Sequence, residues 1–203
     1  MHERNTEQKN MYFGELTLSL KRAGFVVNPE KDGLLPVELE GQPLCLVTGS
    51  GGVRYREKDV AGDSRREALG QVTDIAGITD EYMGQMETAL VLSAGSLDEN
   101  YQLLAEFNST VLAGHLTKYG AQFITWSRGP DGTSLNHGNY YGPDCGADSY
   151  TAAKQNFAVR SGLVDADHLL TQEQMVEVYR SIQETLDGGN LSRNRNKSGP
   201  LFQ

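Results

Sequence analysis

The sequence contains little of what marks membrane and secreted proteins. It has no run of about 18 consecutive apolar residues, the length that a membrane-spanning helix needs. The opening stretch MHERNTEQKN is charged and no apolar segment follows it, so no secretory signal is predicted. Cysteine is scarce as well: Cys45 and Cys145 lie far apart in the chain and form no CxxC pair. These absences predict a cytoplasmic protein with reduced thiols and no membrane partner.

Positive charge is missing from one long part of the chain. Residues 68–117 contain no lysine or arginine, and the net charge of the whole chain is -9. This balance argues against a generic binder of duplex DNA, because affinity for phosphates depends on cationic side chains. A one-sided span predicts a negative surface that attracts a basic partner, although a solvated acidic surface kept for solubility is the alternative. The acidic residues of the span are Asp74, Asp80, Glu81, Glu87, Asp98, Glu99 and Glu106.

The spacing of apolar residues predicts an α+β fold. Helical periodicity is found near the N-terminus, in the centre and near the C-terminus, and short extended segments lie between these helices. We therefore expect antiparallel sheets with N-terminal, central and C-terminal helices. Gly77 is a candidate break in the central helix, for which Asp63 or Ser64 is the expected N-cap. The predicted helices span residues 7–24, 63–90, 151–162 and 171–186. The predicted strands span residues 25–27, 34–40, 43–48, 52–57, 101–108, 109–117 and 121–129, with tight turns expected at 40–42 and 118–120.

Length and composition predict the domain organisation. At 203 residues the chain can bury a sizeable core, and we expect one domain over residues 1–187. Two sub-lobes, near 1–92 and 93–187, are the alternative. Residues 188–203 lack apolar periodicity and carry three positive charges, which predicts a flexible basic tail.

The segment HGNYYGPDCGADSY, residues 137–150, contains residue types that suit metal binding or catalysis. A metal site would need three or four close ligands, yet neither HExxH nor CxxC spacing is present. Cys145 and His137 could form a nucleophile and base, but the acidic loop does not favour a thiolate. We therefore predict no catalytic residue, metal or cofactor, and we expect Tyr140 and Tyr141 to contact a partner. The candidate ligands for such a metal site are His115, His137, Asp144, Cys145 and Asp148.

Two further motifs concern phosphate. TGSGG, residues 48–52, follows an apolar strand but lacks the lysine of a P-loop, and Arg54 stands where a dinucleotide fingerprint needs its third glycine. It is predicted to be a β-turn. In the predicted strand 52–57, Arg54 and Arg56 alternate with Val53 and Tyr55. With Lys58, these arginines could bind single-stranded nucleic acid next to aromatic rings, and the alternative is ion pairing with the acids interleaved among them.

Several phrases resemble a known group of sequences. They include GLLPVELEGQPLCLVTGSGGVRYR, LAEFNSTVLAGHLTKYGAQFITW and YTAAKQNFAVRSGL. Over residues 10–187 the chain is similar to small, uncharacterised proteins and modules of conjugative and other mobile elements of gut Firmicutes. In that group the connection into YTAAKQ is shorter, so GPDCGADS resembles an insertion. The resemblance supplies no catalytic residues.

The resemblance implies that the protein counteracts a defence system of the host. Mobile elements of this kind carry anti-defence genes, and some small acidic proteins among them inhibit type II RNA-guided nucleases as anti-CRISPR proteins. We therefore expect a non-enzymatic inhibitor that binds a host nuclease or its nucleoprotein complex. Its expected contacts are Asp74, Asp80, Glu81, Glu87, Tyr140 and Tyr141. The alternative is a nucleic-acid-binding accessory factor for element transfer, with contacts through Arg54, Arg56 and Lys58.

Overall fold

A computed structural model describes residues 4–94, 97, 99–143, 147–166, 169–170 and 173–182. The chain divides into two compact units, Met1–Leu163 and Val164–Gln203. The first unit contains helices and two four-stranded antiparallel sheets, so the predicted α+β class is confirmed. The predicted domain over 1–187, with or without sub-lobes, stays a prediction, and the predicted tail 188–203 lies outside the described residues.

Helix α1, Thr6–Arg22, begins at a capping box. The Asn5 side chain accepts a hydrogen bond from the Gln8 amide at 2.9 Å, and the Gln8 side chain accepts one from the Asn5 amide at 3.0 Å. These bonds satisfy amides that a helix start otherwise leaves unpaired. The predicted helix near the N-terminus is confirmed, and its inward face carries apolar residues such as Leu16 and Leu20 into the core.

The first sheet has the strand order β1-β2-β3-β4. Glu40 and Gly41, both with positive φ, form the predicted tight turn between β2 and β3. The predicted strand 52–57 is wrong in its length: the chain leaves the sheet after Arg54 and forms a 3-10 turn, Glu57–Val60. The strands are β1, Val26–Val27; β2, Leu34–Leu39; β3, Gln42–Thr48; and β4, Val53–Arg54.

Helix α2, Asp63–Thr88, is a single helix of 26 residues, so the predicted break at Gly77 does not occur. A glycine inside a helix costs about 1 kcal/mol relative to alanine, and the burial of one face offsets that cost. Gly62 occupies the N-cap, and neither of the predicted caps, Asp63 and Ser64, does so. The methionines and the tyrosine of α2 belong to the core, as the side chains of Tyr82, Met83 and Met86 are buried.

The second sheet has the strand order β5-β6-β7-β8 and packs on both of its faces. One face contributes Leu112 and Phe123 to the core shared with the helices, and the other packs Ile124 and Trp126 in a smaller cluster. The strands are β5, Gln102–Phe107; β6, Thr110–Thr117; β7, Gly120–Arg128; and β8, Leu135–Tyr141. Helix α3, Ala147–Arg160, confirms the predicted helix after the polar loop.

A buried carboxylate links α1, α2 and β7. Glu15 is only 5% exposed. It accepts a hydrogen bond from the Tyr82 hydroxyl at 2.7 Å, and both of its oxygens lie 3.1 Å from the Ala121 amide. The same burial raises the pKa of Tyr82, because the phenolate would lose its solvation and stand beside a carboxylate. Glu15 therefore joins three elements by hydrogen bonds that solvent hardly reaches.

In the second unit, residues 173–182 form a helix, where the sequence predicts one. Its apolar side chains are exposed, among them Val176 at 58% and Tyr179 at 65%. Thr171 and Gln174 have the spacing of a capping box in the sequence, and Thr171 lies outside the described residues. No helix in the described part of the chain is both long and apolar enough to cross a membrane.

Candidate functional surfaces

Two of the acidic residues predicted to bind a partner are used inside the molecule. The Arg4 guanidinium pairs with the carboxylate of Asp80 and with that of Glu87, the latter at 2.8 Å. It also donates a hydrogen bond to the carbonyl of Gly49 at 3.1 Å and lies 4.6 Å from the centre of the Tyr12 ring. Only 3% of the Arg4 side chain is exposed. Asp80 and Glu87 are therefore partners of a buried cation.

A third predicted contact, Glu81, has a cation from α3 beside it. Its carboxylate lies 2.6 Å from the Lys154 ammonium and accepts a hydrogen bond from the Tyr150 hydroxyl at 3.1 Å. Farther along the chain, Arg128 pairs with Glu106 at 2.6 Å. The cations that are missing from residues 68–117 are thus supplied by other parts of the fold. No local pattern in the sequence points to these pairs.

A line of carboxylates remains on the outward side of α2. Glu67, Asp74 and Glu81 are spaced by seven residues, which places successive carboxylates about 10 Å apart on one side of a helix. Asp63 extends the line by one turn. All four side chains are exposed, and within the described residues no cation lies at ion-pair distance from Asp63, Glu67 or Asp74. We call Asp63, Glu67, Asp74 and Glu81 the α2 acidic face.

Two glycines, which have no side chain, lie between the carboxylates on the same side of this helix. Gly70 and Gly77 are exposed and lie on the same line as the four carboxylates. A Cβ atom at either position would meet no other atom within 4 Å, so internal packing does not require glycine there. On the α2 acidic face the two glycines therefore leave open space between the carboxylates, and Asp63, Glu67 and Asp74 form no ion pair with a described residue.

The basic residues named from the sequence lie on a different surface, the outer side of the first sheet. Arg54, Tyr55 and Arg56 line a groove of about 430 Å³ together with side chains of β2 and β3. Lys58 is exposed on the adjacent 3-10 turn but does not line this groove. Predicted ion pairing is confirmed for Arg56, whose guanidinium lies 2.5 Å from the Asp59 carboxylate. Arg54 forms no ion pair with any described residue.

The tyrosines of β8 differ from each other. Tyr140 is 63% exposed and its ring meets the edge of Trp126 with the centroids 6.3 Å apart. Tyr141 is half-buried against the main core, and this burial raises its pKa. Only Tyr140 therefore offers most of its ring to a partner.

The polar loop offers little support for chemistry in its described part. His137 is exposed at a positive φ in β8, while Asp144 and Cys145 lie outside the described residues. Asp148 and Ser149 are residue types that favour an N-cap, but α3 begins at Ala147 and Asp148 stands in its first turn. Among the described residues, no group of three or more histidine, cysteine, aspartate or glutamate side chains could hold a metal ion.

His115 is held in place by contacts with the segment before β5. Its Nδ1 lies 3.2 Å from the carbonyl oxygen of Asn100, and its ring lies 5.2 Å from that of Tyr101. A carbonyl oxygen only accepts hydrogen bonds, so this contact requires the proton on Nδ1. The ring therefore helps to fix the segment that leads into β5.

The TGSGG segment is the turn that the sequence predicts. The Thr48 hydroxyl accepts a hydrogen bond from the Gly52 amide at 2.9 Å, and Gly51 takes a positive φ of 76°. A Cβ atom at Gly51 would lie 2.9 Å from the Cβ of Asp80, so close packing against α2 requires glycine here. This turn is held by Arg4 and α2 and has no helix N-terminus to receive phosphate.

Comparison with known proteins identifies no relative of this chain. No family model, curated protein or solved structure matches this chain at a significant level. Two surfaces are therefore the basis for a function: the α2 acidic face and the groove beside Arg54.

Proposed function

We propose that this protein is a non-enzymatic inhibitor that acts in the cytoplasm by binding a basic surface of a host defence nuclease. The target class is a type II RNA-guided nuclease, which holds its nucleic acid in a positively charged channel. The single observation that supports this proposal is the α2 acidic face. Its residues Asp63, Glu67 and Asp74 are exposed and lie beyond ion-pair distance of any described cation. Among the described residues, they are carboxylates that the fold leaves available to a partner.

The shape of the helix suits such a partner. Helix α2 has 26 residues, which corresponds to a length of about 39 Å. A helix that presents a row of separated negative charges, with few protruding side chains between them, can enter a channel that accommodates a nucleic-acid backbone. Charge complementarity of this kind steers encounter and fixes the orientation of the partners. Glu81 contributes to the row but is already paired with Lys154.

Charge reversal of the α2 acidic face tests the proposal. We expect the variant Asp63→Lys, Glu67→Lys, Asp74→Lys to bind a type II nuclease ribonucleoprotein at least about tenfold more weakly than the wild type, because the charges repel the basic channel. Its inhibition of DNA cleavage should fall in parallel. The matched control is Glu7→Lys, Glu40→Lys, Glu57→Lys, which makes the same change in net charge at exposed sites on other elements.

The control separates a specific surface from net charge. Affinity should fall by less than about threefold in the control variant, because charges away from the contact act mainly through screened, long-range terms. Equal losses in the two variants would reject the α2 acidic face as the contact. Absence of wild-type binding, with cleavage undiminished at excess protein, would reject the inhibitor proposal itself.

A second candidate function is a nucleic-acid-binding accessory factor for element transfer, and the unpaired Arg54 beside Tyr55 favours it. Single-stranded nucleic acid is bound by such an arrangement, because the cations contact its phosphates and the aromatic ring stacks on its bases. We expect a labelled single-stranded oligonucleotide to shift in a gel at low salt, and Arg54→Ala, Arg56→Ala to abolish the shift. No shift of either DNA or RNA with the wild type would remove this candidate.

A further inference from the structure

The groove beside Arg54 lies on the outer face of the first sheet. The opposite face of this sheet is closed, because Leu35 and Val47 are buried in the core. On the outer side, β2, β3 and the segment after β4 enclose a volume of about 430 Å³. Pockets for small molecules have volumes of about 300–1,000 Å³. The groove is therefore large enough for one compact organic ligand.

The floor of the groove is apolar. Pro36 and Leu46 are directly opposite each other on β2 and β3, and both line the groove, as does Pro43. Leu46 is 37% exposed although it lies in the middle of a sheet. A flat, apolar ligand group that covers this floor gains the most binding free energy, because burial of apolar surface is favourable.

The rim of the groove carries two guanidinium groups and a ring. Arg54 is the cross-strand partner of Leu46, so its side chain projects on the same face as the floor. Arg56 is oriented by the carboxylate of Asp59, which leaves part of its guanidinium fork for another acceptor. Tyr55 is 50% exposed between the two arginines.

The acidic residues at the groove are already used by neighbours. Glu38 accepts a hydrogen bond from the Asn28 amide group at 2.8 Å, and Asp59 pairs with Arg56. The carbonyl of Asp59 is in turn held by the Arg65 guanidinium at 2.5 Å. The Asn28 amide is neutral, so both Glu38 and Arg54 line the groove without an ion-pair partner among the described residues. A phosphate complements the Arg54 side of the groove.

We propose that this groove binds one nucleotide unit, with the base on the Leu46 floor beside Tyr55 and the phosphate at Arg54 and Arg56. A guanidinium fork matches the oxygens of a phosphate, and an aromatic ring stacks on any base. A fatty acid would leave Tyr55 without a stacking partner, and a bare anion would leave the apolar floor uncovered. A nucleotide satisfies the cation, the ring and the floor together.

The ligand could be a free mononucleotide or the terminal nucleotide of a single strand, since both present the same base and phosphate. The nucleotide pocket and the second candidate function share only the two arginines that would contact phosphate, Arg54 and Arg56. A pocket for one nucleotide can exist without affinity for a strand, and a strand can bind along the surface without entering the pocket. The two proposals therefore fail independently.

Calorimetric titration of the full chain tests the pocket with defined probes, which are adenosine 5′-monophosphate (AMP), adenosine and inorganic phosphate. We expect AMP to bind at least tenfold more tightly than adenosine or phosphate, because only AMP engages the floor and the arginines together. Arg54→Ala should weaken AMP binding at least tenfold, while Arg66→Ala, an exposed arginine away from the groove, should leave it unchanged. Circular dichroism checks that each variant is folded.

Three results would overturn the pocket: no heat of AMP binding at millimolar concentration, phosphate binding as tightly as AMP, or equal effects of the two alanine variants. A 5′-phosphorylated tetranucleotide identifies the source of the ligand. Tighter binding of the tetranucleotide than of AMP indicates a strand terminus, and exclusive binding of AMP indicates a free nucleotide. If the tetranucleotide binds and AMP does not, the pocket is rejected and the second candidate function stands.

Discussion

Arg4→Ala is expected to lower the free energy of unfolding of the first unit by about 3 kcal/mol. Removing one partner of a buried ion pair leaves its other members without compensation, and such losses are among the largest for single substitutions. Here the change removes the cation that pairs with Asp80 and Glu87 and that donates a hydrogen bond to the carbonyl of Gly49. The value lies at the low end of the usual range because the Asp80 side chain is 39% exposed.

Urea unfolding followed by the fluorescence of Trp126, the only tryptophan, measures this change within the first unit. The matched control is Lys154→Ala, which removes the exposed pair with Glu81 and should cost less than about 1 kcal/mol. Arg4→Lys should recover only part of the loss, because the three donors of an ammonium group cannot replace the planar guanidinium that serves four acceptor atoms here. Similar values for Arg4→Ala and Lys154→Ala would contradict a structural role for Arg4.

Arg4 also explains why the acidic span was only partly interpretable from the sequence. The residues it joins are far apart, with separations of 76 to Asp80 and 83 to Glu87. Charge patterning reports what a segment carries but not which distant side chain will be folded against it. Of the acidic contacts predicted from the sequence, Asp74 is the one that the fold leaves exposed and free of ion pairs among the described residues. The prediction of an acidic contact surface remains, and its residues shift toward the N-terminal half of α2.

Local chemistry was sufficient for much of the fold. The turn at Glu40 and Gly41, the helix over Thr6–Arg22 and the strands around the Lys118 turn all follow from spacing and turn residues close in sequence. The unbroken α2 did not follow, because the burial that holds Gly77 in a helix comes from elements distant in the chain. The polar side chain of Glu15 in the core was missed for the same reason.

The groove shows how one local error changes a functional interpretation. Strand alternation over residues 52–57 puts Arg54 and Arg56 on one face and Tyr55 on the other. The strand ends at Arg54, and the turn that follows brings all three side chains to one groove. A surface that resembles a cationic strip in the sequence thus becomes a pocket with a ring and an apolar floor. This difference is what distinguishes binding of a defined nucleotide from general attraction to phosphates.

Glu15→Ala is expected to lower the free energy of unfolding of the first unit by about 3 kcal/mol. The change leaves the Tyr82 hydroxyl and the Ala121 amide buried without an acceptor, and each such orphaned donor costs about 1–3 kcal/mol. Glu15→Gln should cost less than half as much, because the remaining Oε1 can still accept from both donors. Glu7→Ala, on the exposed side of the same helix, should cost less than about 1 kcal/mol.

The three variants separate hydrogen bonding from charge when their urea midpoints are compared by Trp126 fluorescence. If Glu15→Gln were as destabilising as Glu15→Ala, the negative charge of Glu15 would be required. Such a result would point to an interaction with a cation, and it would contradict a role for Glu15 as a hydrogen-bond acceptor that a neutral amide can replace. Tyr82→Phe completes a double-mutant cycle, since it removes one donor while the Ala121 amide keeps its partner. A coupling energy near zero between positions 15 and 82 would show that the 2.7 Å contact does not stabilise the junction of α1, α2 and β7.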